Sequence, residues 1–219
     1  MKVRYSYLQQ QFQDCDDLWD ELKRFVSTGQ FTLGEPLKKF ERKFAELIGT
    51  DFAIGVNSGT DAIKLSLKAL GIRCGDEVIT AANTFVATVG AIAELGAVPV
   101  FVDCNDTFCM NTAQIERAIT KKTKAIVPVH YTGYMTDMRQ VMSIAEKYEL
   151  SVVEDACQAI LASVDSRNAG TWGDTGAFSL HPLKNLNVWA DGGIIVTNEP
   201  NLSESLKQLR NHGLSNRDT

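Results

Sequence analysis

No stretch of this 219-residue sequence is both apolar enough and long enough to cross a bilayer. The most apolar run, GAIAELGAVPVFV, carries Glu94 and Pro99 and falls short of the roughly 20 residues a spanning helix needs. The opening MKVRYSYLQQQFQDCDD holds no apolar signal core, so no membrane partner is expected. Cysteine is scarce: Cys15, Cys74, Cys104, Cys109 and Cys157 are scattered, odd in number and free of any C-x-x-C pair. That pattern suggests neither a zinc ribbon nor a disulfide framework, and a reducing cytoplasmic compartment is expected. Of the histidines, His130, His181 and His212, no two have zinc-ligand spacing, so no metal is expected. His130 and His212 read by default as ordinary hydrogen-bonded residues. Basic excess is missing too. Lys+Arg 22 against Asp+Glu 27 gives a net charge of −5, which argues against a nucleic-acid partner. G-x-G-x-x-G, G-x-x-x-x-G-K-[ST] and G-x-S-x-G are all absent, which removes the commonest nucleotide fingerprints and the hydrolase elbow.

What is present is a globular composition, 44% hydrophobic and 22% charged, which excludes a disordered chain. The length fits one large domain or a domain plus a fragment. DLWDELKRFVSTG predicts a helix closed by Gly29, and LGEPLKKFERKFAELIG another, with Pro36 in its first turn and Gly49 after its end. Extended segments (FAIGV, EVITAA, VPVFVD, KAIVPVH, SVVEDA, GAFSL, GGIIVTN) then alternate with helical ones, the helix DMRQVMSIAEKYEL being capped by Asp137. Strands alternating with helices, several as continuous apolar runs, predict an α/β fold with a mainly parallel central sheet flanked by helices. LSNRDT stops without a closing element, as though the chain were cut there.

Four features fall at strand-to-helix junctions, where the carboxyl ends of strands in an open sheet bind ligands. Asn57-Ser58-Gly59-Thr60 offers small residues and a helix N-terminus, suited to an anion or simply to an N-cap. Thr84-Phe85 places an aromatic at a strand end, either to lie on a planar ring or to fill the core. Glu154-Asp155 ends an apolar strand with two carboxylates that need partners; Asp155 is either an acceptor for a protonated ring nitrogen or a helix cap, and Gln158 follows one turn later. Finally, Gly176 to Leu186 carries Ser179 and Lys184 between two apolar strands, and Ala190-Asp191-Gly192-Gly193 follows. A lysine partly withdrawn from water is a nucleophilic amine suited to Schiff-base formation, whereas an exposed loop lysine is only solvated. Together these are a phosphate cradle, a ring-stacking face, a carboxylate for a pyridinium nitrogen and a Schiff-base lysine, the parts a pyridoxal phosphate enzyme requires.

With those residues in place, the chain resembles the DegT/DnrJ/EryC1/StrS sugar aminotransferases of the aspartate-aminotransferase fold (type I). The resemblance runs through TGQFTLGEPLKKFERKFAELIGTDFAIGVNSGTDAIKLSLKALGI, GDEVITAANTFVAT, PVFVD, VVEDACQA and GDTGAFSLHPLKNL with DGG, in order and in spacing. It implies that residues 1–219 form an N-terminal arm and the large cofactor-binding domain, with the family's small C-terminal domain missing from this stretch. It implies that Lys184 holds the cofactor and moves the substrate proton, and that Asp155 partners the pyridine nitrogen. By the same likeness Gln158 sits beside the ring oxygen, Phe85 stacks on the ring, and Gly59, Thr60 and Ser179 hold the phosphate. The activity implied is amino transfer, through pyridoxal 5'-phosphate and its pyridoxamine form, from glutamate to a nucleotide-linked keto sugar in amino-sugar or polysaccharide biosynthesis. A homodimer is implied as well. Ile160 and Leu161 depart from the His and Gly that often follow A-Q-A, and Ala190-Asp191-Gly192-Gly193 departs from G-D-x-G; both touch the substrate side. The alternatives are a sugar dehydratase of the same family, which would carry His where Lys184 stands, a cysteine desulfurase of the same fold type, which would need a His-Lys pair that His181 is too early to form, and a non-catalytic regulator or scaffold.

Overall fold

The computed structural model describes residue 3 and residues 6–215. The end of LSNRDT therefore lies outside the described residues. In chain order the elements are α1 Leu8–Gln11, α2 Asp16–Thr28, α3 Glu35–Ile48, β1 Phe52–Val56, α4 Gly59–Ala69, β2 Glu77–Ala81, α5 Val86–Ala93 and β3 Val98–Val102. There follow α6 Ile115–Ala118, β4 Thr123–Val127, α7 Met138–Tyr148, β5 Ser151–Asp155, β6 Ser163–Val164, β7 Arg167–Asn168, β8 Thr175–Ser179, β9 Gly193–Thr197 and α8 Pro200–Arg210. Local chemistry sets several boundaries. Gly29 and Gly49 end α2 and α3 in the left-handed conformation, with φ of 66° and 85°, which costs glycine no steric penalty. The Asp137 carboxylate accepts from the Gln140 N–H and caps α7.

Seven strands form one sheet in the order β1-β9-β8-β5-β4-β2-β3. The pairs β8–β5, β5–β4, β4–β2 and β2–β3 are parallel, and β9 alone runs against its neighbours. The expected mainly parallel α/β sheet is what forms. Neighbouring residues on a strand point to opposite faces. Val78, Ala125, Val153 and Ile195 join a core with α4, α5 and α8. Ile79, Ile126 and Val152 join a second core with α6 and α7, while Ala53, Ile194 and Val196 join a third with α3. Both faces are covered, which is why the strands read as unbroken apolar runs rather than alternating ones.

Because only β9 is reversed, β1, β2, β4, β5 and β8 all deliver their carboxyl ends to one edge of the sheet. Residues 57–60, 82–88, 128–133, 155–161 and 179–184 meet there. The outermost strand is fastened from outside: Glu41 accepts from the Gly55 N–H at 2.7 Å, Arg210 donates to the Gly55 carbonyl at 3.0 Å, and Arg210 pairs with Glu41. β9 then starts tight against the turn that leaves β1. A Cβ on Gly193 would lie 2.1 Å from the Ser58 carbonyl oxygen, a backbone atom with nowhere to go. We expect Gly193→Ala to cost about 3 kcal/mol by overpacking, read as a lowered urea midpoint; an unchanged midpoint would mean that this junction is loose.

Candidate active site

The carboxyl ends of the strands surround a cleft of about 850 Å³. Gly59, Thr60, Phe85, Asp155, Gln158, Ser179 and Lys184 all line it, so residues separated by more than half the chain share one space.

At the turn after β1, Ser58 caps α4 by accepting from the Asp61 N–H at 3.0 Å. Gly59 and Thr60 are the first two helical residues, and among the described residues neither backbone N–H has a protein partner. Free amides at a helix start, with the positive end of its dipole, suit an anion. Gly59 is required by packing: a Cβ there would sit 2.8 Å from both Cys157 Sγ and Ser179 Cβ. Ser179, at the end of β8, is therefore pressed against the same turn. Its hydroxyl accepts from the His181 N–H at 3.3 Å and keeps its own proton for a ligand.

Asp155 ends β5 and is 5% exposed. Its Oδ2 accepts from the Thr88 hydroxyl at 2.7 Å, and its Oδ1 from the Cys157 N–H at 3.2 Å. The helix that the sequence suggests after this strand does not form; residues 156–161 make turns, so Asp155 caps no helix and Gln158 reaches the cleft from a turn. Gln158 Oε1 accepts from the Thr132 N–H at 2.8 Å, holding Thr132 in the left-handed conformation at φ 52°. That bond fixes the amide orientation and leaves the Gln158 NH₂ group as a donor. Phe85, 65% exposed, caps α5 from the cleft wall and is not a core residue.

Lys184 is half-buried in the loop between β8 and β9. The loop is pinned at its base by Leu180 N–H to Gly192 O at 2.8 Å and Val188 N–H to Leu180 O at 2.9 Å. Around the lysine it is held by Lys184 N–H to His181 O at 2.8 Å and by the Asn187 amide to Lys184 O at 3.2 Å. No carboxylate among the described residues forms an ion pair with the Lys184 amine. The amine is thus presented to the cleft without a competing partner.

The second carboxylate of the pair works elsewhere. Glu154 is fully buried and accepts from Gly170, Trp172 and Gly173 N–H groups at 2.9, 2.6 and 2.8 Å, and from His130 Nε2 at 2.9 Å. His130 Nδ1 accepts from the Thr136 N–H, so the ring proton resides on Nε2. His130 is the hydrogen-bonded structural residue the sequence suggests, and Glu154 anchors the loop behind the β6–β7 hairpin.

Sequence reasoning passes over Thr88 and Cys157. The only local signal for Thr88 is its spacing of four from Thr84, whose hydroxyl lies 2.7 Å away. Cys157 lines the cleft beside Asp155 and Gly59. Burial first, then the charge and hydrogen bonding of Asp155, push its thiol well above the usual value, with Lys184 pulling the other way. The thiolate is the reactive form, so we expect iodoacetamide at neutral pH to alkylate exposed Cys74 at least about tenfold faster than Cys157. Peptide mass spectrometry would read the order, and faster labelling of Cys157 would contradict it.

Chemically, the cleft offers free amides and hydroxyls for a phosphate, a flat aromatic face, a fixed carboxylate for a protonated heterocyclic nitrogen, an amide donor and an unpaired amine. The chain is similar to known aminotransferases. The dTDP-3-amino-3,4,6-trideoxy-alpha-D-glucose transaminase of Micromonospora megalomicea subsp. nigra is 41% identical over 211 residues, covering 96% of this chain and 56% of that protein. The crystal structure of S. venezuelae DesV in complex with a ketimine intermediate superposes with a TM-score of 0.95 at 38% identity, covering 100% of this chain and 59% of that one. That of NtdA from Bacillus subtilis with bound cofactor PMP gives 0.89 at 38% identity, covering 94% and 47%. The chain spans about half the length of the relatives it matches. The family's sequence model matches residues 13–219, and the chain belongs to the DegT/DnrJ/EryC1/StrS aminotransferase family.

Proposed function

We propose that the protein carrying this chain is a pyridoxal phosphate-dependent aminotransferase that moves an amino group from glutamate to a nucleotide-linked keto sugar, in amino-sugar or polysaccharide biosynthesis. The observation that carries the reading is the convergence of Lys184, Asp155 and the free donors of Gly59, Thr60 and Ser179 on one cleft. These residues fit the cofactor by their donor chemistry: phosphate at the start of α4, ring nitrogen at Asp155, aldehyde carbon at Lys184. The relatives named as sugar transaminases supply the substrate class.

When bound, the cofactor supplies an electron-withdrawing ring that stabilises negative charge on the adjoining carbon. The chain's residues do the rest. Amides of Gly59 and Thr60 with the Ser179 hydroxyl hold the phosphate in place. Phe85 covers one ring face and keeps water from it. The Gln158 NH₂ group donates to the ring oxygen, oriented by the bond from Thr132. Asp155 accepts from the ring N–H, and its negative charge keeps that proton in place. Lys184 would hold the cofactor at its aldehyde carbon and, with its amine free, would carry a proton between the substrate carbon and the cofactor carbon. A lysine at this position disfavours the dehydratase alternative, whose members carry His there.

The homodimer belongs to the same proposal. α2 buries no residue and exposes Leu18, Trp19, Leu22 and Val26, an apolar face suited to a partner surface. So does the division of the whole protein into an arm, this large domain and a small C-terminal domain. The test is a panel of nucleotide-linked keto sugars and cyclitol ketones offered with glutamate to the full-length protein. Release of 2-oxoglutarate with one keto sugar supports the reading; no release with any member of the panel sinks it. Light scattering on the same sample reads the oligomer.

A further inference from the structure

One buried hydroxyl at the cleft is left over by the roles above. Thr88 is 1% exposed, in the first turn of α5, and its hydroxyl donates to Asp155 Oδ2 at 2.7 Å. An ionised carboxylate has no proton to give, so the single Thr88 hydroxyl proton is committed to Asp155. The Thr84–Thr88 contact at 2.7 Å then has one allowed direction, with Thr84 as donor. The chain Thr84 O–H to Thr88 O–H to Asp155 is therefore polarised throughout. It starts at a residue that lines the cleft and ends on the carboxylate. Charge-assisted bonds of this kind are the strong ones, and successive hydroxyls reinforce one another.

The geometry also restricts rotation. A terminal carboxylate has a broad torsional well and turns easily. Here Oδ2 is held by Thr88 and Oδ1 by the Cys157 N–H, so both ends of the group are tied. Thr88 N–H bonds back to the Phe85 carbonyl at 3.1 Å, so one helical turn carries both the ring-facing aromatic and the carboxylate's orienting hydroxyl.

We infer that Thr88, relayed by Thr84, is a positioning residue that fixes the plane of the Asp155 carboxylate for the protonated ring nitrogen of the cofactor. The inference rests on the aminotransferase reading and goes beyond it, because it assigns a role to a cleft-wall side chain outside the set that reading uses to hold the cofactor. Thr88→Val keeps the shape and removes the hydroxyl, while Thr88→Ser keeps the hydroxyl and removes the methyl. The experiment uses full-length protein loaded with pyridoxal phosphate labelled with ¹⁵N in the ring. In the wild type the ¹⁵N shift is expected at the protonated value. In Thr88→Val it moves toward the unprotonated value and kcat falls on the order of tenfold, the usual worth of one hydrogen bond to a charged group. Thr88→Ser restores both. A Thr88→Val protein with the wild-type ¹⁵N shift overturns the inference, even if it is less active or less stable, and so does a Thr88→Ser protein that behaves like Thr88→Val. A wild-type protein that does not take up the cofactor at all overturns the aminotransferase reading as well, and it does so before any variant is made.

Discussion

Replacing Lys184 with alanine in the full-length protein is expected to remove amino transfer, by a factor of at least about 10³, while the fold survives. On the proposed reading two functions are lost together, since the same amine would attach the cofactor and move the substrate proton. Stability should change little, because the side chain is half-buried in a loop whose bonds at Leu180, Val188 and Asn187 involve no Lys184 side-chain atom. Circular dichroism and a urea titration would check the fold, and 2-oxoglutarate release the activity. A variant that keeps its turnover would show that Lys184 is an ordinary solvated lysine.

The second large effect is expected at Asp155. Asp155→Asn should lower kcat by about 10²–10³, the range seen when one preorganised charge-stabilising contact is removed. Cofactor affinity should fall far less, because phosphate anchoring by the start of α4 is untouched. The difference separates chemistry from binding: without a carboxylate the ring nitrogen loses its proton and the ring withdraws electrons poorly. Cofactor titration and steady-state rates on the same preparation read both quantities. A variant with near-normal kcat would mean that Asp155 serves only to accept from Thr88 and Cys157.

Much of this fold is legible in the sequence. Apolar runs such as KAIVPV signalled a sheet covered on both faces, and Gly29, Gly49 and Asp137 marked helix ends that the backbone adopts. These are local signals, set by residues within a few positions of one another. The order of the strands is not local. Nothing in GGIIVTN distinguishes an antiparallel β9 lying between β1 and β8, and the two-residue strands β6 and β7 are too short to leave a periodic trace. Turns 156–161 escaped for another reason: EDACQA has the composition of a capped helix, and long-range bonds to Glu154, Asp155 and Gln158 override that preference.

The candidate residues were legible because each sits at a strand's carboxyl end, and one topology sends those ends to one edge. What each residue touches was not legible. Glu154 and Asp155 are neighbours of the same type, yet alternation along β5 sends one to the interior loop and the other to the cleft. Thr88 meets Asp155 across 67 positions of sequence, a separation no spacing rule covers.

The central claim is that the amine of Lys184 is where the cofactor attaches. Borohydride reduction of the full-length protein loaded with pyridoxal phosphate, followed by peptide mapping, tests it most directly. The account predicts a single labelled peptide, modified at Lys184. Label on any other lysine, or no label on protein that has bound the cofactor, would contradict it.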